Sequence, residues 1–449
     1  MVVGTIIGAS IFVQPSEVTG QVPTAAGVYA VWAVAGVLTL FGALICAELS
    51  STYPESGGVY VYLREAYSPA VGFLWGWAMF WTMHSGIIAA IAMICARYVG
   101  FFVELDDGGV RAVAIVVVVV LSAVNYRGVR HGSVLQTAIT GGKLLAIIAV
   151  IVLGLAFGGA AHEAVEAAGA SGAAGAAGAA GGPGGPGAAA GGAPGAGATF
   201  SVGDFALALV AGLFAFGGWH MVTYNAEETV EPTRTIPRAL IIGTLVVTAC
   251  YILLNAVYLH VLPLKTVASS DRVAADAADA VLGRGGGAMM SALVVFSTFG
   301  ALSGIILAGP RVYFAMARDG VLFEWLGGVH GTYRTPHRAI VLQAVWSSVL
   351  VLTGTYRALF TRVIYTEWIF FGLMALGLLI VRRRRGGPGP YALPGYPAVP
   401  IVFALSAFAI VANQVAASPV DSALGLGMVV IGLPVYAIWT RTQAHRRAS

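Results

Sequence analysis

Charged residues are scarce in this sequence of 449 residues. It has 24 Lys and Arg and 20 Asp and Glu, which together make up 10% of the chain, whereas an ordinary soluble domain has about 25%. Hydrophobic residues make up 58%, and the mean hydropathy is +0.85. A soluble fold of this length needs a charged surface that these residues cannot supply. The composition therefore excludes a soluble enzyme, a disordered chain and a nucleic-acid binder, and we expect no nucleic-acid partner.

Cysteine is almost absent as well. Cys46, Cys95 and Cys250 are the three in the chain, and each lies inside an apolar run. Free cysteine in such a setting packs as a small hydrophobic residue. The sequence therefore predicts no disulfide framework.

Long apolar runs are what the sequence does contain. Their approximate limits are 1–14, 28–49, 69–98, 110–125, 134–157, 204–230, 239–262, 287–317, 339–355, 363–381, 398–417 and 422–440. A helix needs about 20 apolar residues to cross a bilayer, and Gly, Ala and Ser within most runs suit helices that pack closely in lipid. The pattern predicts an all-α integral membrane protein with about 12 transmembrane helices.

The basic residues orient these segments. If the N-terminus is cytoplasmic and the segments alternate, 15 Lys and Arg fall in cytoplasmic loops and 7 in outer loops. The positive-inside rule favours this arrangement. We therefore expect a multi-pass protein of the plasma (cytoplasmic) membrane, embedded in the lipid bilayer, with both termini cytoplasmic.

Two stretches depart from this regular pattern. Between Gly158 and Thr199 almost every residue is Gly, Ala or Pro, which buries too little apolar surface to offset the ordering entropy. We expect a disordered external loop there. The first segment has only 14 residues before Pro15, so we expect the first transmembrane helix to be N-terminally truncated, with further residues upstream.

Glycine interrupts two of the apolar segments. The first contains GTIIGASIF (4–12) and the sixth contains FAFGGW (214–219). Paired glycines favour unwinding, and unwound backbone is tolerated at membrane depth only where it is buried in protein or lines a cavity. Close helix packing is the alternative interpretation of either motif alone. The two positions are equivalent if segments 1–5 and 6–10 are repeats, and such a pair points to a transporter binding site. Free amides attract a carboxylate and unwound carbonyls accept from an ammonium, so the pair suits an amino acid.

Seven stretches, in order, give the sequence a family resemblance. They are GTIIGASIF (4–12), AELSSTYPESGGVYVYLREAY (47–67), GSVLQTAITGGKL (132–144), GLFAFGGWHMVTYNAEETVEPTRTIPRA (212–239), GPRVYFAMARDG (309–320), YRTPHRA (333–339) and EWIFFGLMALGLLIVRRRR (367–385). The chain resembles the amino acid–polyamine–organocation superfamily, and within it the L-type amino acid transporter group and its bacterial relatives. The resemblance extends from residue 1 to about residue 400.

This resemblance implies a LeuT-like fold, in which a five-plus-five inverted repeat has its helices 1 and 6 unwound and two further helices follow. The repeats would span 1–157 and 200–385, with the loop at 158–199 between them and the last two helices and a cytoplasmic tail in 386–449. The implied function is secondary active transport of amino acids by alternating access, proton-coupled or by exchange. We expect no cofactor and no metal.

The resemblance also assigns substrate-binding residues. It places the substrate carboxylate at the backbone amides of Gly8, Ala9 and Ser10. It places the ammonium at the carbonyls of Ile6, Phe214, Ala215 and Gly217, with Phe216, Trp219 and His220 bordering the pocket. The usual Gly-Ser-Gly of the family is Gly-Ala-Ser here, and His replaces the common Asn at position 220. Substrate preference therefore does not transfer.

Four further polar residues stand out in the apolar segments. Lys143 lies in the fifth, where a charge is costly and a functional role is the default; in the family, a lysine here takes the place of a sodium ion beside helices 1 and 8. Snorkelling towards the cytoplasmic face is the alternative. Glu48 and Glu367 are candidate gate residues, with a structural hydrogen bond and an ordinary interface position as the respective alternatives. His84 has weaker context, and a structural role is favoured there.

Other function classes find less support. No HExxH motif or paired intramembrane carboxylates indicate an enzyme, and no charge ring or repeated filter indicates a channel. A non-transporting amino acid sensor on the same fold and a transporter of polyamines or other cationic amines stay as alternatives; Glu367 is the one carboxylate that the latter could use. We expect no heavy-chain subunit, because the loop at 100–109 has no cysteine for such a link.

Overall fold

The computed structural model describes residues 2–127, 132–179, 200–333 and 335–448, and all regular elements in these ranges are helical. The α-helices are α1 (Val2–Ile6), α2 (Gln14–Gln21), α3 (Ala25–Thr52), α4 (Val59–Ala66), α5 (Pro69–Ala78), α6 (His84–Val99), α7 (Asp107–Arg127), α8 (Gly132–Ala179), α9 (Val202–Ala215), α10 (Pro232–Val261), α11 (Leu264–Ser269), α12 (Val273–Leu282), α13 (Arg284–Arg318), α14 (His337–Thr353), α15 (Tyr356–Arg385), α16 (Ala398–Ala417), α17 (Pro419–Val430) and α18 (Gly432–Ala448). Short 3-10 segments lie at Ser10–Phe12, Trp219–Glu228 and Glu324–Gly327, and a π turn at Met79–Met83 joins α5 to α6. The prediction of an all-α architecture is confirmed.

Ten helical stretches in the described ranges are long and apolar enough to cross a membrane. They include α3, α7, α10, α15 and α16, together with stretches that combine or trim the other long helices. The apolar helix α14 is shorter, at 17 residues, and the first segment is divided between α1 and α2. These two account for the difference from the predicted count of about 12, which stays a prediction.

Apolar side chains on the outside of the bundle face the lipid. Helices α7 and α8 carry exposed Val116, Val119, Val120, Leu145, Ile148 and Val152. In water such a surface would be an interaction site or an aggregation liability, whereas in a bilayer it is the surface that hydrocarbon solvates. The low charge content of the sequence thus corresponds to an apolar exterior.

The glycine- and alanine-rich stretch differs from its prediction. Helix α8 does not stop near residue 157 but continues to Ala179, so the expected disorder does not begin at Gly158. Alanine has the highest helix propensity of all residues, and the first proline of the stretch is Pro183. The remainder of the predicted loop, 180–199, lies outside the described residues.

The broken helices lie at the centre of the bundle. The ends of α1 and α9 border one cavity there, with α8, α10 and α13 packed on α1 and α3 and α15 packed on α9. Aromatic side chains fill the junction: the rings of Trp32 on α3 and Tyr251 on α10 meet edge to face with centroids 5.7 Å apart, and both side chains are fully buried. This packing fixes the two short helix ends against longer, continuous helices.

Candidate functional site

The first helix breaks directly after Ile6. Helix α1 ends there, and the amide of Gly8 folds back to the carbonyl oxygen of Ile6 at 2.7 Å. The chain resumes as a 3-10 segment at Ser10–Phe12. Among the described residues, no backbone oxygen accepts from the amides of Ala9, Ser10 or Ile11. Such free amides at a helical N-terminus carry partial positive charge and attract an anion.

The sixth segment breaks beside the first. Helix α9 ends at Ala215, and the following 3-10 segment begins at Trp219. Between them Gly218 has a φ of 92°, in the left-handed region that favours glycine. A Cβ on Gly218 would lie 3.3 Å from the carbonyl oxygen of Thr5, so this turn also lets α9 approach the end of α1. The carbonyls of Phe216 and Gly217 have no backbone donor in the described residues.

A tyrosine that the sequence analysis missed joins the two breaks. The hydroxyl of Tyr251 lies 3.0 Å from the carbonyl oxygens of both Ile6 and Ala215. A hydroxyl has one proton, so it donates to one oxygen at a time and shares between them. The carbonyl of Ala215 keeps a second lone pair for another donor, whereas that of Ile6 also accepts from the amide of Gly8. Nothing in the sequence separates Tyr251 from the other aromatic residues of its apolar run, because its role arises only from the packing of α10 on α1 and α9.

Lys143 lies beside the first break. It is 5% exposed, and its Nζ donates to the carbonyl oxygen of Ile7 at 3.5 Å. The close approach of α8 and α1 depends on Gly4, where a Cβ would lie 2.3 Å from Oγ1 of Thr140. No acidic side chain among the described residues pairs with Lys143. The structure thus brings the ammonium to α1, where the family resemblance led us to expect it, and not to the cytoplasmic face.

A small cavity separates the two breaks from α6, α13 and α15. Its volume is about 20 Å³, enough for a water molecule. The predicted site residues on its wall are Ile6, Gly8, Ser10, Phe214, Ala215, Gly217 and Glu367. The opposite wall is apolar and includes Ile87, Ile91 and Ile305. One wall of the cavity therefore presents polar backbone groups, and the opposite wall presents apolar side chains.

Four predicted pocket residues are not on this wall. Ala9, Phe216, Trp219 and His220 are buried elsewhere. The three ring side chains among them pack instead against neighbouring helices. Phe216 packs on Trp32 and Tyr251, and a Cβ on Gly42 of α3 would lie 2.9 Å from the ring of Trp219.

His220 belongs to an aromatic cluster. Its ring lies 5.9 Å from that of Trp75 and 5.0 Å from that of Phe371, and its buried Nδ1 has no hydrogen-bond partner among the residues that the structure describes. Its ring contacts are thus packing contacts in this conformation, and direct substrate contact stays a prediction that would require a rearrangement.

Glu367 is the one carboxylate on the cavity wall. It is 3% exposed, and no described residue forms an ion pair or hydrogen bond with it. A buried carboxylate without a partner is costly, so the group either stays protonated or meets a cation. Of the two candidate gate residues, this is the one that a substrate could reach.

The other candidate gate residue, Glu48, is engaged at the far end of α3. Its carboxylate accepts from Nε of Arg382 at 2.6 Å and from the amides of Leu393 and Gly389 at 2.8 and 3.4 Å. The Arg382 guanidinium also lies 3.9 Å from the ring centroid of Tyr396. These contacts attach the segment after α15 to α3. They agree with the alternative interpretation of Glu48, a structural hydrogen bond. Removing one partner of such a buried pair typically costs about 3–5 kcal/mol.

His84 has a structural contact as well. Its Nε2 lies 2.7 Å from the carbonyl oxygen of Ile305 on α13. One helical turn on, Pro310 lacks the amide that would bond the carbonyl of Ile306, and Nε2 of Gln343 donates to that oxygen at 3.4 Å. His84 and Gln343 thus provide hydrogen bonds for two backbone carbonyls of α13 behind the cavity, which agrees with the structural role favoured for His84.

Comparison with known proteins decides what kind of site this is. The sequence matches the family described as amino acid permease over residues 1–437. The chain belongs to this family. Similar proteins are the serine/threonine exchanger SteT of Bacillus subtilis, 30% identical over 445 residues that cover 97% of this chain and 94% of the relative, and the human b(0,+)-type amino acid transporter 1, 31% identical over 389 residues that cover 86% and 74%. The human cystine/glutamate transporter is 27% identical over 444 residues, which cover 98% and 83%.

These matches confirm the superfamily indicated by the seven sequence stretches. The chain is an amino acid permease, a membrane transporter and not an enzyme. The family and the ten apolar helices together make it a multi-pass membrane protein. The broken helices are thus the natural place to look for the permease's substrate.

The permease offers a direct test of the cavity at Gly8. A Cβ there would meet only the Cβ of Ala301 and the carbonyl oxygen of Ile6, both at 3.9 Å, so Gly8→Ala should fold normally while its methyl group occupies the cavity. We expect amino acid uptake into proteoliposomes to fall about fivefold or more, since a methyl group in the space that the substrate must fill costs about 1–3 kcal/mol.

Gly20→Ala is the matched control for this prediction. It makes the same change in α2, where a Cβ meets nothing within 4 Å, and should transport as the parent protein does. Thermal unfolding of both variants in detergent would verify the fold. Full uptake by a stable Gly8→Ala variant would contradict the assignment of this cavity to the substrate.

Proposed function

We propose that this permease exchanges neutral amino acids across the membrane, binding them between the broken ends of α1 and α9. The observation that supports this most is that both breaks border one cavity, with Ser10, whose amide has no backbone acceptor, and Phe214, Ala215 and Gly217 of the second break on its wall. A zwitterion carries the two opposite charges that such a pair of broken helices recognises. Exchange is favoured over proton symport because one similar protein is named an exchanger.

The proposed binding mode follows from the polarity of the two breaks. The substrate carboxylate would take the amides of Ala9 and Ser10, where the helix dipole is positive, and that of Gly8 once its bond to the carbonyl of Ile6 opens. The ammonium would take the carbonyl oxygens of Phe214, Ala215 and Gly217, and that of Ile6 when the hydroxyl of Tyr251 donates to Ala215 instead. The substrate side chain would then point to the apolar wall of Ile87, Ile91 and Ile305. In this arrangement main-chain atoms bind the carboxylate and ammonium groups that all amino acids share. The side chains of the apolar wall select among substrate side chains.

Alternating access is proposed from the size of the cavity. A volume of about 20 Å³ holds a water molecule but no amino acid, so this conformation is closed at the substrate position. The breaks divide α1 from α2 and α9 from its 3-10 continuation, which gives each half freedom to move. We propose that these two segments are helices 1 and 6 of a five-plus-five inverted repeat with 12 spans in total, the first repeat at 1–157 and the second at 200–385.

Lys143 is the proposed coupling residue. Its ammonium holds the carbonyl of Ile7, the residue that follows α1, and a fixed positive charge there would replace a sodium ion. Loss of its proton would weaken that contact and free the end of α1 to move. Sodium dependence is therefore not expected.

The membrane setting completes the proposal. We infer a plasma membrane location with both termini cytoplasmic, because 15 of the basic residues then fall on the cytoplasmic side, among them Arg382–Arg385 at the end of α15. A single-chain permease is proposed, since 100–109, between α6 and α7, has no cysteine that could bind a heavy chain covalently.

A transporter of polyamines or other cationic amines is the second candidate. The unpaired carboxylate of Glu367 on the cavity wall is the observation that favours it, because an amine would supply the missing cation. Against it, the free amides of the first break would have no anion to bind. Carboxylate recognition therefore decides between the two candidates. A sensor on the same fold would bind amino acids without moving them.

The proposed function is tested by a flux screen. Proteoliposomes loaded with unlabelled amino acids would be offered each of the twenty labelled amino acids, and putrescine, at pH 6 and pH 8. We expect uptake of one or more neutral amino acids that depends on internal amino acid, with little uptake of putrescine. Uptake into empty vesicles that requires an inward proton gradient would replace exchange by symport. Absence of any amino acid flux would contradict the proposal.

A second prediction concerns the coupling residue. Lys143→Ala removes the ammonium from the carbonyl of Ile7, so we expect exchange to be lost while the protein is still produced and inserted. Lys265→Ala, on the exposed face of α11, is the control and should exchange normally. Surface labelling and size-exclusion profiles measure insertion and folding. If exchange persists at parental rates in Lys143→Ala, the residue does not couple transport.

A further inference from the structure

A second and larger cavity opens at one end of the bundle. Its volume is about 330 Å³, within the range that binds small ligands. It lies between the end of α2, the first turns of α9 and α15, and the turn from α16 to α17. Because α15 begins there and ends at Arg382–Arg385, the cavity lies on the membrane side opposite that basic cluster. We call it the outer vestibule.

Two opposite charges on its wall have no ion-pair partner among the described residues. Arg362 on α15 interacts with the hydroxyl of Tyr365, but it forms no ion pair and its buried Nε has no hydrogen-bond acceptor there. The carboxylate of Asp421, at the start of α17, forms no ion pair in the described residues either. In contrast, Arg357 and Glu17 on the same wall bind each other.

An unsatisfied guanidinium in the wall of a cavity favours a carboxylate ligand. Leaving a buried donor without an acceptor costs free energy, and a guanidinium binds carboxylates through charged hydrogen bonds. An accessible carboxylate in the same cavity offers the complementary partner for an ammonium. Together Arg362 and Asp421 present the two charges of a zwitterion receptor, built from side chains where the central site is built from backbone.

The vestibule and the central cavity are neighbours along the same two helices. Phe360 lines the vestibule and Phe214 lines the central cavity, and their ring centroids are 5.4 Å apart. Tyr356 packs on both rings. These three rings form an aromatic layer between the two walls, and a path from one space to the other would require them to move.

We propose that the outer vestibule is a separate amino acid-binding site, where Arg362 binds the carboxylate and Asp421 the ammonium before the substrate passes the Phe214–Phe360 layer. The inference rests on the proposed function, because it concerns the same class of substrate, and on the orientation that makes this side external. It predicts that the vestibule governs capture from outside, whereas release to the inside bypasses it.

The test is the sidedness of the apparent affinity. In cells that express the full chain, the external KM is measured from uptake of the amino acid that the flux screen identifies, with L-serine as the first probe, and the internal KM from efflux. For Arg362→Gln we expect the external KM to rise about tenfold or more, as for loss of one charged hydrogen bond, with the internal KM within about twofold of the parent. Asp421→Asn should shift the same constant in the same direction.

Two comparisons make the result decisive. Lys265→Gln removes the same charge from an exposed residue on the same side, so it reports the effect of net charge alone and should change neither constant. Arg362→Lys keeps the charge without the planar fork and should give an intermediate external KM. A variant that merely misfolds would lower the maximal rate from both sides and leave both KM values unchanged.

The outcomes separate this inference from the proposed function. If the parent protein exchanges amino acids but Arg362→Gln leaves its external KM within about twofold, the vestibule site is overturned while the central site stands. A shift in the internal KM alone also overturns it. If the parent protein moves no amino acid, the proposed function itself fails.

Discussion

Backbone groups that leave the helical pattern at membrane depth have no water to bind, and the arrangement of the bundle follows from this constraint. At the break after α1, the hydroxyl of Tyr251 and the ammonium of Lys143 donate to the carbonyls of Ile6 and Ile7. The three amides that follow keep no backbone acceptor. The carbonyl side is therefore supported by protein, and the amide side is left for a ligand. This asymmetry gives the proposed site its preference for an anion at one end.

Charge is used sparingly but in distinct ways. Glu48 and Arg382 satisfy each other at the end of α3 and hold the segment after α15 in place. Lys143 and Glu367 lie in the membrane interior without an ion-pair partner among the described residues, one beside the first break and one on the cavity wall. In a low-dielectric interior such groups are costly unless a moving partner compensates them. The paired charges therefore serve the scaffold, and the unpaired ones are those that a transport cycle could use.

The sequence patterns predicted the all-α membrane class, both helix breaks and a lysine beside the first break, because glycine pairs and an isolated lysine stand out in apolar runs. They did not indicate Tyr251, or the joint position of Arg362 and Asp421, which depend on contacts between helices distant in the chain. Phe216, Trp219 and His220 do not line the cavity in this conformation, because their rings pack on those of neighbouring helices, and their contact with substrate stays a prediction. The continuation of α8 to Ala179 was missed because alanine propensity prevailed over glycine content.

The central claim is that the amides at the break after α1, those of Gly8, Ala9 and Ser10, bind the substrate carboxylate. Amide hydrogen exchange of residues 8–12, followed by mass spectrometry with and without a saturating transported amino acid, tests it most directly. The account predicts slower exchange in this segment when the amino acid is present, and no such slowing with the decarboxylated amine analogue of the same amino acid. Exchange that is unchanged by a saturating, transported amino acid would contradict it.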